Sequence, residues 1–234
     1  MAIDYSEIKV VGFDADDTLW VNETYFREAE ARFAELFKSY ETPNKIDQEL
    51  FKKELDNLPV YGYGVKGFML SMIEMGIELS NRTVDPRIIE EIIQIGKDMI
   101  NKPVELLPGI EEVLAVLSKK YRLILATKGD LLDQERKLEK SGLIKYFHHI
   151  EVLSDKKADN YRRLLSHLDI APESFLMVGN SLRSDILPLL EIGSHAIHIP
   201  FHTTWEHEKV KDQDLKDRNF KTVSSADEIL EELT

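Results

Sequence analysis

The run Val10-Val11-Gly12-Phe13-Asp14-Ala15-Asp16-Asp17-Thr18-Leu19 constrains this chain more than any other stretch. An apolar segment stops abruptly at two carboxylates spaced i and i+2, and a hydroxyl follows. Lys9 to Phe13 reads as a buried strand. Asp14 then falls just past its carboxyl end, the edge at which open α/β sheets bind ligands. Acidic residues are rarely buried without a partner, so three of them here ask for a cation or a reaction. A D-x-D-x-T pattern arises by chance at about one position in 10⁴ when each residue type makes up roughly 5% of usage. The requirement for a preceding strand makes it rarer. The competing reading is an acidic turn that caps a helix.

From Leu107 onward the pattern alternates between strand and helix. Pro108-Gly109 opens a helix carrying Ile110, Val113, Leu114 and Leu117. Strands are predicted over Arg122 to Thr127, His149 to Leu153, Phe175 to Val178 and Ala196 to Ile199. The helices between them span Asp130 to about Lys140, Ala158 to Leu168 and Ser184 to Glu191. Such alternation signals a parallel sheet wrapped by helices.

Residues 21–104 instead read as helical throughout. Phe26, Ala29, Phe33, Leu36, Phe37 and Tyr40 recur at helical spacing, with Asn22 as a plausible cap. Pro43 and Asn44 break that helix. A second helix carries Leu50, Phe51, Leu55 and Leu58 and stops at Pro59. A loop with three glycines, Tyr61 to Gly67, precedes a third helix from about Phe68 to Met75. A fourth opens at Asp85-Pro86, cap and first-turn proline, and ends at Asn101-Lys102-Pro103. The expected organisation is an α/β core from residues 1–20 and 105–234, with 21–104 inserted as a helical cap after the first strand. The tail from Glu206 to Arg218 reads as a solvated loop before a last helix near Ala226.

Three later strand ends bring polar groups to the same sheet edge. Thr127-Lys128-Gly129 supplies a hydroxyl, a cation and a flexible turn; Ser154-Asp155-Lys156-Lys157 supplies a second cationic site. Gly179-Asn180-Ser181-Leu182-Arg183-Ser184-Asp185 supplies an amide oxygen and, five residues on, a carboxylate. Each alone is weak, since Thr127 and Asp185 also suit helix ends and Lys156 a solvated surface. Their order along the chain carries the weight.

With those residues in place, the chain resembles the haloacid dehalogenase (HAD) superfamily of phosphohydrolases, in its helical-cap branch. The likeness covers nearly the whole sequence. Asp14, Asp16 and Thr18 match the first motif and Thr127 the second. Lys156, five residues before Tyr161, matches the third, with Lys157 as the alternative. Gly179 to Asp185 matches the fourth, with Asn180 where an acidic residue is usual. The resemblance implies a Rossmann-like parallel sheet with the first strand central and the active site at its carboxyl edge.

It also implies a mechanism that the residue types can support. Asp14 would attack phosphorus to form an aspartyl-phosphate, dividing one slow step into two. Asp16 would protonate the leaving oxygen and then take a proton from water. Thr127 would hydrogen-bond the phosphoryl oxygens and Lys156 offset their charge. Mg²⁺ would relieve the repulsion between carboxylate and phosphate, held by Asp14, the backbone carbonyl of Asp16, and Asn180 or Asp185. The expected substrate is a small phosphomonoester. Lys128, Lys66 and Tyr63 are candidates for touching it, against a reading of the 61–67 loop as a plain connection. Alternatives are a haloacid dehalogenase, which needs no acid two residues beyond its nucleophile, a phosphomutase, or a regulatory protein that has kept the fold.

A formal net charge of −13 argues against nucleic acid or an anionic membrane as the main partner. The absence of cysteine excludes thiolate chemistry. The acidic start Met1 to Glu7 does not read as a signal peptide, and no apolar run approaches the roughly 20 residues of a membrane helix, so a cytoplasmic location is expected. His148 and His149, like His195 and His198, would point to opposite faces of their strands and cannot easily share an ion. Trp205 reads as a cover for the core.

Overall fold

The computed structural model describes residues 5–234; Met1 to Asp4, within the acidic start discussed above, lie outside the described residues. Six parallel strands form one sheet in the order β3-β2-β1-β4-β5-β6. They are β1 (Val10–Phe13), β2 (Arg122–Lys128), β3 (His149–Leu153), β4 (Phe175–Gly179), β5 (His195–His198) and β6 (Lys221–Thr222). β1 lies inside the sheet, with Phe13 opposite Leu125 of β2 on one side and Val178 of β4 on the other. The two-residue β6 is too short to have left a pattern in the sequence.

Parallel strands covered by helices on both faces are apolar along their length, and the period of two divides their side chains between two cores. Val11, Phe13, Leu123, Leu125, Leu176 and Val178 face one way. They pack with Ile110, Val113, Leu114 and Leu117 of α5 (Ile110–Leu117) and with Ile229 and Leu233 of α10 (Ala226–Leu233). Val10, Ile124, Ala126, Phe175 and Met177 face the other way, against Tyr161, Leu164 and Leu165 of α7 (Ala158–His167) and Leu189 of α8 (Leu187–Glu191). Gly12 is required in β1, because a Cβ there would lie 2.5 Å from the ring of Phe175.

The chain divides into two compact units. The sheet unit comprises the segment ending at Glu23, Val104–Lys128 and Glu135–Thr234; the helical unit comprises Thr24–Pro103 and Gly129–Gln134. The helical unit is built from α1 (Glu23–Phe37), α2 (Pro43–Tyr61), α3 (Val65–Leu79) and α4 (Pro86–Asn101), together with the opening of α6 (Leu131–Ser141). Its core contains Phe33, Phe37, Leu50, Phe68, Met72, Ile92 and Ile95. Asp85 caps α4 by accepting from the Arg87 amide at 2.9 Å, with Pro86 in the first turn.

Several local expectations give way. Pro43 opens α2, and Pro59 lies inside its last turn: the proline loses its N–H and crowds the carbonyl four residues earlier, yet the helix runs on to Tyr61 and Gly62 still donates to Leu58 at 3.0 Å. α3 begins at Val65, so Lys66 belongs to a helix and the connection shrinks to the residues around Gly62 and Gly64, both at positive φ. Asn22 directly precedes α1, where its Oδ1 accepts from Lys137 and the Asp17 carboxyl accepts from the amides of Asn22 and Glu23. A π-type turn over Leu182–Ile186 precedes the short α8. The tail segment contains α9 (Asp212–Leu215), and its Glu208 is folded inward, described below. Among the described residues no helix is long and apolar enough to cross a membrane.

Candidate active site

The sheet unit brings the polar strand ends together at the carboxyl edge of β1. Asp14 extends the strand by donating its amide to Val178 at 2.9 Å. The chain then turns sharply, with Leu19 returning to the Ala15 carbonyl at 2.8 Å and Asp17 at φ 61°. Burial pushes the Asp17 carboxyl up to about 8 although the amides of Glu23 and Asn22 oppose the rise.

Asp14 is buried within a ring of contacts. Thr18 Oγ1 donates to Asp14 Oδ2 at 3.0 Å and accepts from the Asn180 amide at 3.1 Å, tying the first motif to the end of β4. Lys156 Nζ bridges two carboxylates, donating to Asp14 Oδ1 and to Asp185 Oδ1, the latter at 2.7 Å. Lys156 is 2% exposed, whereas Lys157 points to solvent and pairs with Asp155. Lys156, not its neighbour, therefore reaches Asp14. Burial pushes the Asp14 carboxyl upward; the Lys156 charge opposes that and Asp185 adds to it. Burial works against the Lys156 charge, but Asp14 and Asp185 outweigh it and hold the ammonium protonated.

Asp185 fits beside Gly179 only because that residue has no side chain: a Cβ there would lie 2.6 Å from the Asp185 Cβ and closer still to its carboxyl. Asp185 Oδ2 accepts from the Ser181 amide at 3.0 Å. The Asn180 carbonyl accepts from His198 Nε2 at 3.0 Å, which fixes the proton on that nitrogen. Thr127 is buried at the end of β2, its hydroxyl 3.2 Å from the Lys128 carbonyl.

Asp16 is held from two sides. Trp20 Nε1 donates to Oδ1 at 2.8 Å and Lys137 Nζ to the same oxygen at 2.5 Å, while Lys137 also reaches Asn22 Oδ1 at 3.3 Å. Lys137 was illegible in the sequence, where it is one of several charges along α6. Glu208 was equally hidden. Its carboxylate accepts from Lys128 Nζ at 2.6 Å, Ser184 Oγ at 2.7 Å and Ser181 Oγ. Burial would raise the Glu208 carboxyl, but the Lys128 charge and these donors win and bring it down to about 2. Lys128 is thus committed to Glu208 and Ser184. Lys66 and Tyr63 belong to the helical unit; Lys66 pairs there with Asp130 at 2.8 Å, and Tyr63 lies half-buried between α2 and α3.

The donors available to a cation are all oxygens: the carboxylates of Asp14 and Asp185, the Asn180 amide and the Asp16 carbonyl. Among the described residues no three His, Cys, Asp or Glu side chains gather as a metal cluster. Two carboxylates plus neutral oxygens suit a hard ion such as Mg²⁺, which keeps several waters and is seldom caged by protein alone. The set fits.

The sequence matches the model of the haloacid dehalogenase-like hydrolases over residues 8–193. No curated protein matches it. Among solved structures, a haloacid dehalogenase-like family hydrolase from Xanthomonas campestris is 40% identical, with a TM-score of 0.84 over 94% of this chain and 88% of that one. A HAD phosphatase from Thermococcus onnurineus is 17% identical, with a TM-score of 0.64 over 97% of this chain and 98% of its own. A 2-haloacid dehalogenase from Pseudomonas syringae is likewise 17% identical, with a TM-score of 0.62 and the same coverage. The last two share the fold and are described by different chemistries.

Proposed function

The chain belongs to the haloacid dehalogenase-like hydrolases, and from that premise we propose that it is a Mg²⁺-dependent phosphatase of small phosphomonoesters. The observation that carries this reading is the second carboxylate, Asp16, two residues beyond a buried Asp14 and fixed by Trp20 and Lys137. A dehalogenase needs the nucleophile and has no use for an acid at that position.

Asp14 attacks phosphorus through one carboxylate oxygen. The bond to the ester oxygen breaks with its electron pair, and Asp16 delivers a proton to that departing oxygen. Water then attacks the aspartyl-phosphate, giving its proton back to Asp16 and releasing phosphate from Asp14. Lys156 orients Asp14 through Oδ1 and places a positive charge beside the reacting group. Thr18 holds the other oxygen of Asp14, and Thr127 presents its hydroxyl at the neighbouring strand end. Mg²⁺, held by Asp14, the Asp16 carbonyl and Asn180 or Asp185, would neutralise phosphoryl charge when bound.

The test is release of 4-nitrophenol from 4-nitrophenyl phosphate by the purified protein, with Mg²⁺ and with excess chelator. Mg²⁺-dependent turnover that disappears in Asp14→Asn, while 2-chloropropionate remains unconsumed, supports the reading. Halide release from the haloacid, or undiminished turnover in Asp14→Asn, overturns it.

A further inference from the structure

Two unrelated elements converge on a single oxygen of Asp16. Trp20, in the turn after β1, donates its indole N–H to Oδ1 at 2.8 Å; Lys137, in the middle of α6, donates its ammonium to the same atom at 2.5 Å. Neither residue belongs to the motifs that the sequence displays. Trp20 is 1% exposed and wedged in the core, and its backbone receives the Asp17 amide at 2.8 Å. The indole therefore has little freedom to leave. Lys137 is anchored again by Asn22 Oδ1 at 3.3 Å. A buried ring and a doubly anchored ammonium fix the plane of the carboxyl as well as its position.

We infer that Trp20 and Lys137 are positioning residues that aim the proton-carrying oxygen of Asp16. A carboxyl that takes two donors on Oδ1, one of them charged, keeps its own transferable proton on Oδ2, because a proton on Oδ1 would face two N–H groups. The pair thereby selects which oxygen serves as acid toward the leaving group and as base toward water. A proton donor that can rotate spends part of its time misdirected, and alignment is a large part of what an enzyme supplies. The inference rests on the reading of Asp16 as acid and base.

Leaving groups separate positioning from mere support. Departing 4-nitrophenolate needs little proton assistance; phenolate needs much more. The value of kcat/KM reports steps up to departure of the phenol, so it isolates the acid role from the later base role. Lys137→Met keeps the length of the side chain without the donor, and Trp20→Phe removes the N–H. Each should lower kcat/KM by about tenfold with phenyl phosphate and by no more than about twofold with 4-nitrophenyl phosphate. Lys137→Arg, which retains a charged donor, should restore most of the loss. Thermal unfolding of each variant checks that it folds; if Trp20→Phe does not, the Lys137 pair still decides.

Asp16→Asn is measured beside them on the same substrates. If it lowers phenyl phosphate turnover far more than 4-nitrophenyl phosphate turnover while the Lys137 and Trp20 variants fall equally on both or on neither, the inference is overturned and Asp16 keeps its role. If Asp16→Asn itself shows no such selectivity, or if the wild type hydrolyses neither ester, the reading of Asp16 fails and the inference falls with it.

Discussion

Glu208→Gln offers a measurement in which pH supplies the control. Glu208 lies within the sheet unit, 12% exposed at its side chain, and pairs with Lys128 while accepting from two serine hydroxyls. Its carboxyl is displaced from 4.5 to about 2. A folded-state value below the unfolded one means stability that is present above the unfolded value and lost as pH falls through the folded one. At 1.36 kcal/mol per unit, the displacement corresponds to about 3 kcal/mol at neutral pH. Of that, about 2 to 3 kcal/mol survives at pH 4 and about 1 to 2 at pH 3. The amide has the same shape, still accepts from the serines, and turns an N–H₂ group toward the Lys128 ammonium. Glu208→Gln should therefore be less stable than wild type by about 3 kcal/mol at pH 7, a gap that narrows steadily below about pH 4.5. Both tryptophans, Trp20 and Trp205, lie in the sheet unit. Urea unfolding followed by tryptophan fluorescence thus reports the unit that contains the substitution. A gap that stays constant between pH 7 and pH 3.5, or no gap at pH 7, refutes the argument.

Two further outcomes follow from the end of β4. Gly179→Ala drives a methyl into the space of Asp185 and must displace a partner of the buried Lys156; a loss of about 3 to 5 kcal/mol is expected in the same urea experiment, and a near-neutral result would show that Asp185 can move freely. If the metal is held as proposed, Asn180→Asp should lower the Mg²⁺ concentration for half-maximal turnover and Asp185→Asn should raise it; a titration unmoved by either substitution removes this loop from the metal site.

The layout of the sheet could be read from the sequence because buried parallel strands are short apolar runs, and because a carboxylate following such a run is too costly to be incidental. Asp14, Lys156 and Asp185 carry that signal. They come from the ends of β1, β3 and β4 or just beyond, and the structure gathers them around one ammonium. The helix boundaries were less legible. Pro59 and Gly67 read as breaks, but Pro59 falls in the last turn of α2, and Gly67 lies inside α3 where a Cβ would come 2.8 Å from the Gly62 carbonyl. Glu208 and Lys137 were illegible for a different reason. Each is a charge among charges, and only the return of a distant segment to the sheet edge shows which member of a polar run becomes half-buried and paired. The polar tail gave no apolar period to announce that one of its carboxylates would be drawn inward.

That pairing pattern has a consequence for phosphate binding. Each of the three lysines around the site is already matched: Lys156 with Asp14 and Asp185, Lys137 with Asp16, and Lys128 with Glu208. When Asp14 and Asp16 are both ionised, these contacts set four carboxylates against three ammoniums, and a phosphate dianion then meets surplus negative charge. One such repulsion at about 4 Å amounts to about 4 kcal/mol at an effective dielectric constant of 20. Asp14→Asn removes the surplus and leaves Lys156 with one carboxylate partner. In the presence of chelator, that variant should bind inorganic phosphate at least about tenfold more tightly than wild type, a conservative third of the Coulomb figure. Added Mg²⁺ should tighten binding more in the wild type than in the variant, because the wild type has more charge to offset. Isothermal titration calorimetry with phosphate, with and without Mg²⁺, measures both differences. Equal affinities for the two proteins in chelator would mean that the charge beside Asp14 is compensated by groups outside this set.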